Sequence, residues 1–457
     1  MSILSSLRAR LTQERGAFLG LWAVAAAFGT YFCMYAFRKP FAVGTWEGEV
    51  ELPGVGPLDY KILLLISQIA GYCVSKFLGI KIVSEMPPAK RALAILAFVG
   101  IAELALVLFA LTPAPWNAVF LFLNGLPLGM IWGLVFSFIE GRRTSDLLGA
   151  GLCASFIVAS GFVKSVGRIL LEHVPEPWMP AVTGAVFLVP FGLFVAMLAV
   201  IPPPSEEDER ERTRREPMDA AARRAFLSEH GPGIGLLVVG YILLTAYRDF
   251  RDNFAREIWD SLGYADTPEI LTTAELPVAA GSLVAVALLF AVRNNRRALG
   301  LIHGAMAAGA GLVVGSTLLY QMGVLAPATW MITVGLGLYI GYVPFNCVLF
   351  DRLLAATQSV GTAAFLIYVS DAFGYLGSVA LMLYRDFGQA TLSWLEFFTT
   401  LSLGAPLIWG LAFLAAWFWF RGRFPDDDSP PADAQSLPEP RSEPALRPVS
   451  GPDFRDV

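Results

Sequence analysis

Charge inside an apolar span is rare, and this sequence keeps only a few such residues: Arg38 with Lys39, Glu103, Lys164 with Arg168, Arg248 with Asp249, and Asp371. Each costs roughly 2.5–3.5 kcal/mol at a bilayer centre on insertion scales, so each is a candidate for function. Arg248 follows only 14 residues counted from Ile234, a helical rise of about 21 Å that sets it within the apolar layer. Two arginines reaching one cavity present planar donor forks, a geometry suited to phosphate or carboxylate. Lys164 and Arg168, four residues apart, share one helical face and would add positive charge, with Arg168 expected at the outer interface. Asp371 is expected to be either the counter-charge of Lys164 or a proton-coupling carboxylate. Glu103 is expected to couple in the same way or to hydrogen-bond between helices. Lys76, near the end of its span, is either a cavity cation or a positive-inside anchor. Trp132, Tyr342 and Asn346, with Tyr339, read as cavity wall or as plain packing.

The elements that position these residues follow from the apolar pattern. Of 457 residues 56% are apolar and 16% charged, against roughly 45–50% and about 25% in soluble domains. Of the 71 charges, 14 lie in 205–230 and 11 in 424–457, leaving 46 for the other 397 positions. That distribution excludes a soluble multidomain enzyme, a basic nucleic-acid binder and a disordered scaffold. Continuous apolar runs such as Ala181 to Ile201 are long enough to cross a bilayer as helices and too long for barrel strands. Spans are expected near 17–37, 58–78, 92–111, 117–139, 149–171 and 180–201, then 234–249, 270–292, 299–320, 328–349, 361–383 and 398–420. The organisation is therefore a six-helix half over 1–201, a cytoplasmic linker over 202–233, a second half over 234–423 and a disordered cytoplasmic tail over 424–457. A short surface helix over 219–228 is compatible with the linker sequence.

Lys and Arg fall in alternate loops, among them Lys81, Lys90 and Arg91, Arg142 and Arg143, and Arg293, Arg296 and Arg297. The positive-inside rule then puts both termini in the cytoplasm of a multi-pass plasma (inner) membrane protein. The four cysteines and three histidines are scattered and suggest neither a disulfide framework nor a metal site.

The halves also match each other at a fixed offset of 210 residues. It carries Tyr31, Ala36 and Arg38 onto Tyr241, Ala246 and Arg248, Gly125 onto Gly335, Ser160 onto Ser370 and Gly167 onto Gly377. The matched arginines weigh most, because charge in a span is rare. A parallel repeat of two six-helix halves predicts an all-α polytopic membrane protein of 12 transmembrane helices in the major facilitator fold.

Tyr35-Ala36-Phe37-Arg38-Lys39-Pro40-Phe41 resembles the first-helix signature of the organophosphate:phosphate antiporter branch of the major facilitator superfamily. Ser75-Lys76-Phe77-Leu78-Gly79, with Val83-Ser84-Glu85 and Arg91, is similar to that branch's second helix and loop. Asn124-Gly125 and Gly129-Met130-Ile131-Trp132-Gly133 are similar to its fourth helix. The pattern also resembles an uncharacterised bacterial subgroup. The resemblance implies that Arg38 and Arg248 bind the phosphate of a substrate; the fifth helix departs from it, with Lys164 in the region where the branch carries a histidine. The expectation is a non-enzymatic secondary transporter of a small organic anion, phosphorylated by resemblance, working by exchange or proton coupling. It would act as a monomer in the lipid bilayer with no cofactor, metal or nucleic acid. A transporter-like sensor of an anion, or a lipid flippase, is the alternative.

Overall fold

A computed structural model describes residues 11, 17–52, 56–139, 145–203, 220–357 and 363–424. Twelve helices among them are long and apolar enough to cross a membrane. The first half comprises α1 (Ala17–Met34), α2 (Tyr60–Ser84), α3 (Pro88–Leu111), α4 (Ala118–Phe136), α5 (Ser145–Leu170) and α6 (Met179–Ala199). The second comprises α7 (Ala220–Asn253), α8 (Glu275–Phe290), α9 (Asn295–Gln321), α10 (Pro327–Pro344), α11 (Ala363–Leu383) and α12 (Trp394–Arg421). Helix α10 continues through a π turn, Phe345–Leu349, into Phe350–Thr357. All 12 expected spans are present.

Local chemistry sets the helix ends. The Asp59 carboxylate caps α2 by accepting from the Ile62 N–H (3.1 Å), and Asn294 caps α9 through the Arg297 N–H (2.9 Å). Ser393 and Glu396 form a reciprocal capping box on α12, which satisfies two otherwise orphaned donors. Pro88 and Pro327 open α3 and α10, where a missing N–H costs nothing. Large apolar side chains such as Leu93 and Val189 stay about 70% exposed (69% and 72%) on the outside of the bundle, the surface that lipid would cover.

Lipid tails are as apolar as leucine, so helices associate through close packing rather than by hiding from water. At Gly125 an added Cβ would sit 2.3 Å from the Gln68 carbonyl oxygen, and at Gly71 2.1 Å from that of Phe122. Helices α2 and α4 therefore meet backbone to backbone. Gly309 and Gly337 bring α9 and α10 together in the same way.

Three details differ from expectation. The α1–α2 connection folds into an antiparallel hairpin, β1 (Glu49–Leu52) with β2 (Gly56–Asp59), whereas the sequence reading was wholly helical. Its acidic residues pair in a ribbon too short for the hydropathy pattern to register. Helix α7 begins at Ala220, so the surface helix expected over 219–228 and the seventh span are one continuous element. The third is that Cys153 and Cys347, scattered in the sequence, bring their sulfurs to 2.8 Å across the two halves. The central stretch 204–219 and the tail from 425 lie outside the described residues.

Candidate functional site

The halves meet along two seams, α5 with α8 and α2 with α11, and a cavity lies between. Helix α1 stops at Met34 and gives way to two 3₁₀ turns, Tyr35–Phe37 and Pro40–Val43. Unwinding frees backbone carbonyls that would be costly to bury unpaired. Asn124 of α4 meets this need by donating to the Phe37 carbonyl (2.9 Å), and it ties the turn to α3 by donating also to the Ala102 carbonyl (3.0 Å). Gln68 of α2 donates to the Arg38 carbonyl (3.0 Å) and to Asn124 Oδ1 (2.9 Å). This network fixes the backbone that carries Arg38. Asn124→Ala removes the partner of the Phe37 carbonyl and of one Gln68 amide hydrogen, at about 1–3 kcal/mol each; a matching fall in thermal stability, measured on purified protein, is the expected result.

Arg38 is 5% exposed, and its guanidinium lies 3.8 Å from the Tyr72 ring centre. No carboxylate pairs with it among the described residues, and its Nε has no hydrogen-bond partner. Arg248 lies 4.2 Å over the Tyr342 ring and pairs with its chain neighbour Asp249 at 2.6 Å. Arg38 and Arg248 both line one small space between the halves, with Lys39, Asp249, Asp252 and Tyr339 also in its wall. The two arginines matched by the repeat thus enter the same cavity from opposite halves.

Asp252 is the electrostatic hinge of the site. It accepts from Lys39 of the first half at 2.5 Å, and Lys164 and Ser160 of α5 also donate to it. Lys39 donates further to Asn253 Oδ1 at 3.0 Å. Around it more pairs join the halves where α1 and α7 end: Arg168 with Asp260 (2.5 Å), Lys61 with Glu257, and Arg256 with the Val43 carbonyl. Arg168, expected at the outer interface, is 8% exposed and held between the halves.

Asp371 also differs from its expected pairing. It accepts from the Tyr241 hydroxyl (2.6 Å) and pairs with Lys76 (3.3 Å), while the partner of Lys164 is Asp252. The reason is topological: α5 and α11 match in the repeat but lie on opposite seams, so their charges face different neighbours. Lys76 is correspondingly 7% exposed at the α2–α11 seam and no surface anchor. Tyr342 and Asn346 cluster with Tyr241, whose hydroxyl oxygen lies 3.2 Å from both the Tyr342 hydroxyl and Asn346 Oδ1. Trp132 packs edge-on to Tyr31 and against Phe156, and Phe156 lines the cavity. Glu103 stands apart: it lies against Gly184 of α6, outside the cavity wall.

A buried pair that sequence reasoning passed over is Arg251 with Glu275, 2.8 Å apart. It lines a second small space that shares Asp252 and Tyr339 with the first. Arg251 follows Arg248 by three residues, one helical turn, and that spacing was the available signal.

Residues 40–423 match the model of a family described as a family of unknown function, DUF5690. The chain belongs to this family. No curated protein matches it by sequence. Among solved structures, it is similar to a D-xylose-proton symporter at 14% identity and a TM-score of 0.57, covering 90% of this chain and 98% of that one. It is also similar to a variant of the nucleoside transporter NupG at 15% identity and a TM-score of 0.56, covering 89% and 100% respectively. Likeness at these identities establishes the fold: this member of the family has the major facilitator architecture of 12 membrane helices in two halves.

Proposed function

We propose that the protein is a secondary transporter of a small organic anion, working by alternating access, with Arg38 and Arg248 binding the anionic group. The observation that carries this reading is the shared cavity of the two arginines, one from each half. An anion bridging them ties substrate binding to the relative movement of the halves. The charge balance supports it: Arg38, Lys39, Lys164 and Arg248 stand against Asp249 and Asp252, two positive charges in excess. Buried charge without compensation is costly, and a phosphate monoester supplies two charges and several acceptor oxygens for the guanidinium forks. The family resemblance of the first helix points the same way, while the sugar-proton symporter and the nucleoside transporter that share the fold support secondary transport in general. Both termini on the cytoplasmic side would place the Asp252 cluster at the outer end.

Exchange follows from the same balance, since an empty cavity with excess charge returns across the bilayer reluctantly. The test uses purified protein in liposomes loaded with phosphate. Saturable entry of labelled phosphate that requires an anion inside is expected. No exchange with phosphate, phosphate esters or dicarboxylates would overturn the reading. A second reading, proton coupling, is favoured by Asp371, whose carboxylate links Lys76 of one half to Tyr241 of the other. Asp371→Asn separates the two: under exchange it keeps anion counterflow, and under proton coupling it loses uptake driven by a pH gradient.

A further inference from the structure

Arg251 is 4% exposed, yet its Nε lacks a hydrogen-bond partner, and so does Oε2 of Glu275. Both side chains line a small space between α5, α7, α8 and α10. Buried polar atoms in folded proteins are almost always paired, so one free donor and one free acceptor on two side chains that line the same space require an explanation. Space has been made for this arrangement. An added Cβ at Gly335 would come within 2.7 Å of Arg251 Nη2, and Nη2 also donates to the Met331 carbonyl at 3.2 Å.

We propose that Arg251 and Glu275 form a second subsite, beside the arginine pair, for a neutral group on the body of the anion that both donates and accepts a hydrogen bond: an alcohol or a carboxamide. This rests on the anion reading above and goes further by stating what the rest of the substrate carries. Charge decides the class. An ammonium would meet the Arg251 guanidinium and a second carboxylate would meet Glu275, whereas a hydroxyl gives its proton to Glu275 Oε2 and accepts from Arg251 Nε. Position decides the size. Arg248 and Arg251 are one turn apart, about 4.5 Å along α7, so a chain of three or four carbons spans both subsites. Trp259, Leu271 and Met331 supply apolar wall for that chain.

The test compares matched anions on the purified full chain: propyl phosphate with 3-hydroxypropyl phosphate, and butyrate with 4-hydroxybutyrate. Affinity is read by thermal stabilisation and by inhibition of labelled phosphate exchange. The wild type is expected to prefer the hydroxylated member of a pair at least about tenfold, the worth of one hydrogen bond to a charged group. Glu275→Gln should reduce the preference while leaving propyl phosphate affinity nearly unchanged. Because breaking one side of a buried pair endangers folding, the double variant Arg251→Leu with Glu275→Leu is the second arm; removing both charges is commonly tolerated. It should bind propyl phosphate as the wild type does and show no preference. Equal wild-type affinity within each pair, or an undiminished preference in the double variant, overturns the subsite. If no anion of either pair binds the wild type, the anion reading fails first and takes the subsite with it.

Discussion

Arg248→Lys is expected to lower anion exchange in liposomes by at least about a hundredfold, and Arg38→Lys by a similar factor. A guanidinium makes two parallel hydrogen bonds to one anionic group, and an ammonium cannot reproduce that fork. Hydrogen bonds to charged groups are worth about 1.5–3 kcal/mol each, so losing two spans the stated range. Folding should survive. Lysine at 248 can still pair with Asp249, now 2.6 Å from the guanidinium, and lysine at 38 disturbs no ion pair among the described residues. The control is thermal stability without added anion, which should stay close to wild type in both variants while anion-induced stabilisation disappears. Normal exchange in both would remove the arginines from the site.

Asp252→Asn is expected to act in the opposite sense, costing stability first. One carboxylate serves Lys39, Lys164 and Ser160, and removing its charge leaves two buried ammonium groups uncompensated. Breaking a buried pair in this way costs about 3–5 kcal/mol, which should appear as a large fall in melting temperature. The charge excess of the cavity rises from two to three, so added phosphate should restore more stability to the variant than to the wild type. A melting temperature unchanged by the substitution would mean that the Lys39 and Lys164 contacts contribute little.

The sequence made the large features legible because each rests on a strong, local signal. Runs of about 20 apolar residues locate the spans, and the 210-residue offset singles out Arg38 and Arg248 because charged residues stand out against lipid. The offset failed for Asp371. Matching positions in the two halves are related by pseudo-symmetry, which carries α5 at one seam onto α11 at the other, so the match indicates equivalence rather than contact. Glu257 and Glu275 escaped notice for a different reason. They lie at or near helix ends, where acidic residues are ordinarily solvated, and only tertiary packing turns that stretch into an inter-half network. Arg251 was hidden by its neighbour, since a second arginine one turn from the first reads as part of the same polar end. The hairpin over 49–59 has no apolar face long enough to register as a strand pair.

The imbalance of four cations and two carboxylates around the cavity has an electrical consequence. Moving one elementary charge across the membrane potential is worth about 2.3 kcal/mol per 100 mV. A carrier returning empty would move its two excess charges through part of that field, whereas one loaded with a dianion would move none. Exchange of one dianion for another should therefore be insensitive to an imposed potential, while any net flux should respond to it steeply. Potassium-diffusion potentials applied to the same liposomes would separate these two regimes without any mutation.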